Sequence, residues 1–139
     1  MPDKVLYCAK ATSTGDGRNG HVVSSDQRLD LDRALPESMG GDGNGTNPEQ
    51  LFAAGYAACF HSALRIVASR AQTDPGQSAV SAEVGIGPEG DAFGLVVTLL
   101  ISIPGLEREQ VRELAEAAHQ VCPYSRATRG NISVELRVP

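Results

Sequence analysis

Residues 47–60 read Asn47-Pro48-Glu49-Gln50-Leu51-Phe52-Ala53-Ala54-Gly55-Tyr56-Ala57-Ala58-Cys59-Phe60. Asn47 is a good helix N-cap, Pro48 suits the first helical position, and Gln50 stands three residues after the cap. Thr46 with Glu49 fits the same capping box one residue earlier. The helical pattern continues to about Ala71, and Asp74-Pro75-Gly76 ends it. In its first half, Leu51, Phe52, Ala53, Ala54, Tyr56, Ala57, Ala58, Cys59 and Phe60 surround the whole axis. A helix apolar on every side is buried on every side. A chain of 139 residues rarely encloses a helix unaided. The stretch therefore predicts a long buried central helix, partly covered by a second subunit.

On the N-terminal side, Val5 to Ala11 alternates as a strand does. Ser13 to Gly20 is turn chemistry, and His21–Val23 and Arg28–Leu31 read as two further strands of an antiparallel meander. Residues 36–47 form a loop with four glycines between Gly40 and Gly45. On the C-terminal side, Val80–Ile86 and Phe93–Ile103 read as strands joined through Pro88-Glu89-Gly90-Asp91. A second helix carries Val111, Leu114, Ala115, Ala118 and Cys122 on one stripe, and Pro123 stops it. Ile132, Val134, Leu136 and Val138 alternate as a last strand. The order predicts one α+β domain, residues 1–139, built on antiparallel sheets.

Composition removes several functions. Net charge is 12 − 17 = −5, and an acidic chain without a basic run argues against nucleic acid. No run approaches about 18 uninterrupted apolar residues, so no membrane span is expected. The start lacks the pattern of a secretory signal, which points to the cytoplasm. The three cysteines, Cys8, Cys59 and Cys122, form no C-x-x-C and no secreted disulfide framework. His21, His61 and His119 have no metal-ligand spacing with each other or with a cysteine pair. Gly15 to Gly20 matches G-x-G-x-x-G but precedes a strand, where a dinucleotide site needs a helix to follow. Gly40 to Thr46 lacks the lysine of a phosphate loop. His61 lies two residues from Cys59, about 200° around a helix, a poor dyad. His119 and Cys122 can touch, but they read more simply as a surface histidine beside a buried thiol.

Residues 47–60 resemble the first cysteine segment of the OsmC/Ohr superfamily. Cys122-Pro123-Tyr124-Ser125-Arg126-Ala127-Thr128-Arg129-Gly130-Asn131 resembles the second, in the form of its organic hydroperoxide resistance branch. Arg18, in Gly17-Arg18-Asn19-Gly20, matches the family's early arginine, and Glu49 its helix-start glutamate. Arg126 departs from the smaller polar residue of many relatives. The resemblance implies an OsmC-like intertwined homodimer and a thiol peroxidase acting on organic hydroperoxides. Cys59 would be the peroxidatic thiol and Cys122 the resolving one. A lipoylated protein or another dithiol would regenerate the pair, and the resemblance implies no metal, haem or other cofactor.

The residues suit that chemistry. Peroxide attack needs a thiolate, and a free cysteine of pKa about 8.5 is mostly protonated at neutral pH. Arg18 is the cation that would stabilise it, and Glu49 could hold the guanidinium by a bidentate pair. Leu51, Phe52, Tyr56 and Phe60 offer an apolar wall for a greasy substrate tail. On a straight helix, however, Glu49 and Cys59 lie about 15 Å apart along the axis. Either the helix breaks near Gly55 to Ala58, bringing Cys59 to a helix N-terminus, or Glu49 serves another chain. The break is the expectation. A non-catalytic dimeric lipid- or fatty-acid-binding protein with structural cysteines is the alternative from another class. A cysteine hydrolase using Cys122 and His119 is a third.

Overall fold

The computed structural model describes residues 1–16 and 18–139; Gly17 of the Gly15–Gly20 motif lies outside them. The chain forms two compact units, Met1–Pro48 and Glu49–Pro139.

The first unit is an antiparallel meander, β1 (Ala11–Gly15), β2 (Asn19–Ser24) and β3 (Asp30–Ala34), in that spatial order. The meander is the one expected, but it begins later. Val5 to Lys10 form no strand, and Cys8, taken as a sheet residue, precedes the sheet. The reason lies in β2. Ala11 already faces Ser24, the last residue of that strand, so earlier residues have no strand to pair with. The turn is also shorter than Ser13 to Gly20, because both strands run into it. Gly15 faces Gly20 across the ladder. A Cβ on Gly20 would lie 2.2 Å from the Thr14 carbonyl oxygen, so only glycine fits this closing pair. One Asp16 carboxylate oxygen then accepts the backbone N–H of Arg18 at 2.8 Å and of Asn19 at 2.7 Å. Arg33 straps the turn from β3, donating to Ser13 Oγ at 2.9 Å and to the Asp16 carbonyl at 2.7 Å.

The second unit contains the long helix. It is α1, Pro48–Arg70, 23 residues without interruption. The expected break at Gly55 to Ala58 is absent: a buried stripe continues straight through from Tyr56 to Phe60, Ala63, Leu64, Val67 and Ala68. The helix is not enclosed on every side within the chain, and Ile66 on another face is 49% exposed. By length and composition α1 could also cross a bilayer, but its buried stripe packs here into a core with Val97, Leu99 and Ile101.

That core is closed by a sheet of β4 (Ala79–Glu89), β5 (Ala92–Ser102) and β6 (Val134–Arg137) in the order β4-β5-β6. β4 and β5 form a hairpin, whereas β6 pairs with β5 in parallel, Val97 opposite Val134 to Leu100 opposite Arg137. This corrects the wholly antiparallel expectation. The segment between β5 and β6 contains helices, and such a crossover lets the chain return in the same direction. α2 (Arg108–Val121) buries Val111, Leu114, Ala115 and Ala118 as its periodicity predicts. Cys122 lies just past its end in extended conformation, with φ −63° and ψ 122°. Pro123 does not simply stop α2. It opens a further short helix, α3 (Pro123–Thr128), at the first helical position, where proline's missing N–H is harmless.

Candidate active site

Cys59 projects from the middle of α1, and Cys122 from the junction of α2 and α3. Their sulfurs stand 3.6 Å apart, with the Cys122 thiol donating toward Cys59 Sγ. Both are free thiols; Cys122 is fully buried and Cys59 half-buried. A disulfide bond is about 2.05 Å long, so closure asks for roughly 1.5 Å of approach.

The surroundings of Cys59 act on its charge in opposing ways. Burial is the largest influence and pushes its pKa up, the backbone N–H of Tyr124 pulls it down, and the neighbouring Cys122 thiol raises it again. The net direction is up. The helix-terminal N–H expected from a break in α1 comes instead from the start of α3. Among the described residues, the Tyr124 N–H is the influence that favours the Cys59 thiolate.

A cleft of about 440 Å³ opens at Cys59, lined also by Ser62, Ala63, Ile66, Arg70, Val121 and Pro123. It is mostly apolar, with one guanidinium on its lining. Leu51, Phe52, Tyr56 and Phe60 are not part of this lining. Tyr56 and Phe60 are fully buried core residues, and Leu51 and Phe52 are half-buried. Phe52 and Tyr56 instead form an aromatic trio with Tyr124, ring centroids 5.7 to 6.2 Å apart. Gly55 makes room for it: a Cβ there would sit 2.9 Å from Tyr124 Oη.

Behind Cys122 runs a buried polar chain that its sequence spacing did not reveal. Tyr56 Oη lies 2.9 Å from Ser125 Oγ and 3.1 Å from Thr128 Oγ1, and His119 Nδ1 lies 2.8 Å from Ser125 Oγ. His119 is thus half-buried and engaged, not the surface residue expected. Burial first, and the Arg129 guanidinium second, hold its pKa below the usual histidine value, so the imidazole is neutral at pH 7. Its ring nitrogen faces a serine hydroxyl, which weakens the hydrolase reading. His61 bonds Ser78 Oγ at 2.9 Å and forms no dyad with Cys59.

Arg18 belongs to the first unit, at the β1–β2 turn, where its guanidinium donates to the Gly40 carbonyl. A polar hollow of about 360 Å³ lies there, lined by Arg18, Asn19, Gly40, Gly41 and Asp42. Glu49 is half-buried in the first turn of α1. With α1 unbroken, it lies about 15 Å along the axis from Cys59. The Arg126 side chain is exposed on α3.

The family model for OsmC-like proteins matches residues 41–137, which include Cys59, Cys122 and all but the last two residues of the second unit. The chain belongs to the OsmC-like family. Within it, the similarity is to the organic hydroperoxide resistance branch. The organic hydroperoxide resistance protein of Xanthomonas axonopodis pv. citri is 53% identical over 137 residues, 97% of this chain and 96% of that one. Organic hydroperoxide resistance protein OhrB of Bacillus subtilis is 47% identical, over 96% of this chain and 98% of its own. The crystal structure of an organic hydroperoxide resistance protein from Elizabethkingia anophelis superposes with TM-score 0.91 at 52% identity, covering 97% of each chain. This OsmC-like chain thus shares its fold with relatives along nearly its entire length.

Proposed function

We propose that this chain is a cysteine-based peroxidase that reduces organic hydroperoxides to alcohols, and so serves the hydroperoxide resistance for which its relatives are named. The observation that carries the reading is the 3.6 Å approach of a buried Cys122 thiol to a Cys59 thiol that opens on an apolar cleft. Such a pair suits a sulfur that is oxidised from outside and resolved from within.

In the proposed cycle, the Cys59 thiolate attacks the distal oxygen of the hydroperoxide. The O–O bond breaks, the alkoxide takes a proton and leaves as the alcohol, and Cys59 becomes a sulfenic acid. The Cys122 thiol then attacks that sulfur. The hydroxyl leaves with the Cys122 proton as water, and a Cys59–Cys122 disulfide forms. A dithiol, such as a lipoyl group on a protein, exchanges with the disulfide and restores both thiols. The apolar cleft favours an alkyl hydroperoxide over hydrogen peroxide.

Arg18 is proposed as the cation that offsets the desolvation of Cys59, with Glu49 orienting its guanidinium. The unbroken α1 favours the arrangement in which Glu49 serves the site of a second copy. The exposed side of α1 at Ile66 supports a homodimer. A cytoplasmic setting, where dithiol reductants keep thiols reduced, suits the cycle.

A thiol titration tests the reading. One equivalent of cumene hydroperoxide should convert two thiols per chain into one internal disulfide, identified by peptide mass mapping as Cys59–Cys122. A lipid-binding protein with structural cysteines would keep both thiols reduced, and that result would end the proposal.

A further inference from the structure

We infer that the buried chain His119–Ser125–Tyr56–Thr128 is a positioning device that holds the start of α3 against Cys59 and governs how fast Cys122 closes onto it. The inference rests on the peroxidase reading above, and concerns residues that touch neither reacting sulfur through any bond described here.

Counting protons gives the chain a direction. Thr128 Oγ1 contacts two carbonyls, Tyr124 at 3.0 Å and Ser125 at 3.2 Å. Carbonyls only accept, so the single Thr128 proton goes to them. Thr128 Oγ1 must then accept from Tyr56, whose only proton is thereby used. Tyr56 Oη in turn accepts from Ser125, and Ser125 Oγ accepts from His119 Nδ1–H. Every hydroxyl donates once, and the run ends on the carbonyls of Tyr124 and Ser125, the first belonging to the residue whose own N–H faces Cys59. The imidazole is fixed as the Nδ1–H tautomer.

The mechanical consequence follows from where the partners sit. Tyr56 lies on α1, less than one turn from Cys59. Ser125 and Thr128 lie on α3, one and four residues beyond the Cys122–Tyr124 segment. His119 lies on the last turn of α2. The hydroxyl of Tyr56 therefore ties α3 to the helix that carries Cys59, and His119 ties α3 to the helix that leads into Cys122. Ser125 is fully buried and Tyr56 likewise, so water cannot replace a lost partner cheaply. An unmade hydrogen bond here loosens the one segment that sets the sulfur–sulfur distance.

The rate at issue decides the fate of the sulfenic acid. Prompt closure releases water and gives the disulfide. Delay lets a second hydroperoxide oxidise the same sulfur to the sulfinic acid, releasing another alcohol, and that product is not recovered by thiols.

The test uses reduced full-length protein and cumene hydroperoxide, with wild type, His119→Ala, His119→Asn and Tyr56→Phe. Disulfide closure is followed by quenched-flow alkylation, the sulfinic share of Cys59 by mass spectrometry under excess peroxide, and the Cys59 pKa by the pH dependence of alkylation. Loss of one ordinary hydrogen bond should slow closure about fivefold in His119→Ala and Tyr56→Phe, with a matching rise in sulfinic acid. The Cys59 pKa should rise in both, as the Tyr124 N–H loses its aim. His119→Asn keeps an N–H near the Nδ1 position and should restore closure to within about twofold of wild type. A merely structural role would move the melting temperature and leave the partition and the pKa alone. If wild type closes its disulfide but both disrupting variants close and over-oxidise as it does, the positioning role falls and the peroxidase stands. If wild type consumes no hydroperoxide, the peroxidase reading falls and this inference with it.

Discussion

Gly55→Ala sets two effects against each other inside α1. Replacing a helical glycine by alanine ordinarily stabilises by about 1 kcal/mol, because glycine has the larger backbone entropy to lose. Here the new Cβ would lie 2.9 Å from Tyr124 Oη and 3.1 Å from its Cε2, too close to keep. The obstacle is the end of a side chain that is 40% exposed, so the ring can swing outward. In doing so it leaves Tyr56, 5.7 Å away, and Phe52, 6.2 Å away. Aromatic pairs contribute about 0.5–1.5 kcal/mol each, so the displacement removes about 1–3 kcal/mol. The loss outweighs the gain, and the variant should be less stable by about 1 kcal/mol, or roughly 2–4 °C in melting temperature at this chain length. In a Tyr124→Ala background the obstacle is gone, and the same substitution should stabilise by about 1 kcal/mol. The sign thus reverses, with a coupling of about 2 kcal/mol, which is large for residues in direct contact but within the usual range. Urea unfolding of the four proteins at one common concentration measures it. If Gly55→Ala stabilises both backgrounds equally, the close approach of Tyr124 to α1 is refuted.

The two cysteines should separate by product. Cys59→Ser should consume no hydroperoxide, whereas Cys122→Ser should consume a first equivalent and then accumulate sulfinic acid; equal loss of that first turnover, read by peroxide assay, would undo the roles. Arg18→Ala should raise the Cys59 pKa and slow peroxide reduction, each pKa unit being about 1.4 kcal/mol of thiolate stabilisation. Arg18→Lys should recover only part, since it lacks the planar fork, and an unchanged alkylation profile in the folded alanine variant would make Arg18 a turn residue only. His21 has its pKa raised, first by Asp32 and then by Asp30, which flank its ring. Its contribution to stability is therefore full below the unfolded-state value near 6.5 and is lost as pH rises through the folded one. The stability gap between wild type and His21→Gln should shrink from pH 5.5 to pH 8.5; a gap that widens would contradict the pairing.

How far the sequence could be read depended on the kind of signal. The start of α1 was legible because capping acts through neighbours: Asn47, Pro48 and Gln50 act within a single turn. The α2 stripe from Val111 to Ala118 was legible because one period places all its members on one face. The parallel run of β6 was not, because alternation at Val134 and Leu136 reports which face a residue occupies and not which way the strand runs. α3 was hidden because Pro123 ends one helix and begins the next, and six residues are too few to show a period. Of the site, Cys59 and Cys122 stood out through the motifs around them. The cleft was legible in principle, since Cys59, Ser62, Ala63, Ile66 and Arg70 follow helical spacing, but the bulkier Phe52, Tyr56 and Phe60 drew the assignment. Tyr56 and Ser125 are 69 residues apart, and no local rule joins them.

The unequal burial of the two sulfurs would give the proposed disulfide a direction. Once the bond has formed, Cys122 remains sealed beneath the α2–α3 junction while Cys59 borders the cleft. An incoming thiolate needs a collinear path to the sulfur it strikes, and only the Cys59 end offers one. In the proposed cycle opening would therefore begin there, with the incoming sulfur joined to Cys59 and Cys122 expelled as the leaving group. The opening that would admit the oxidant in the proposed cycle would admit the reductant too, each to a different redox state of the same sulfur.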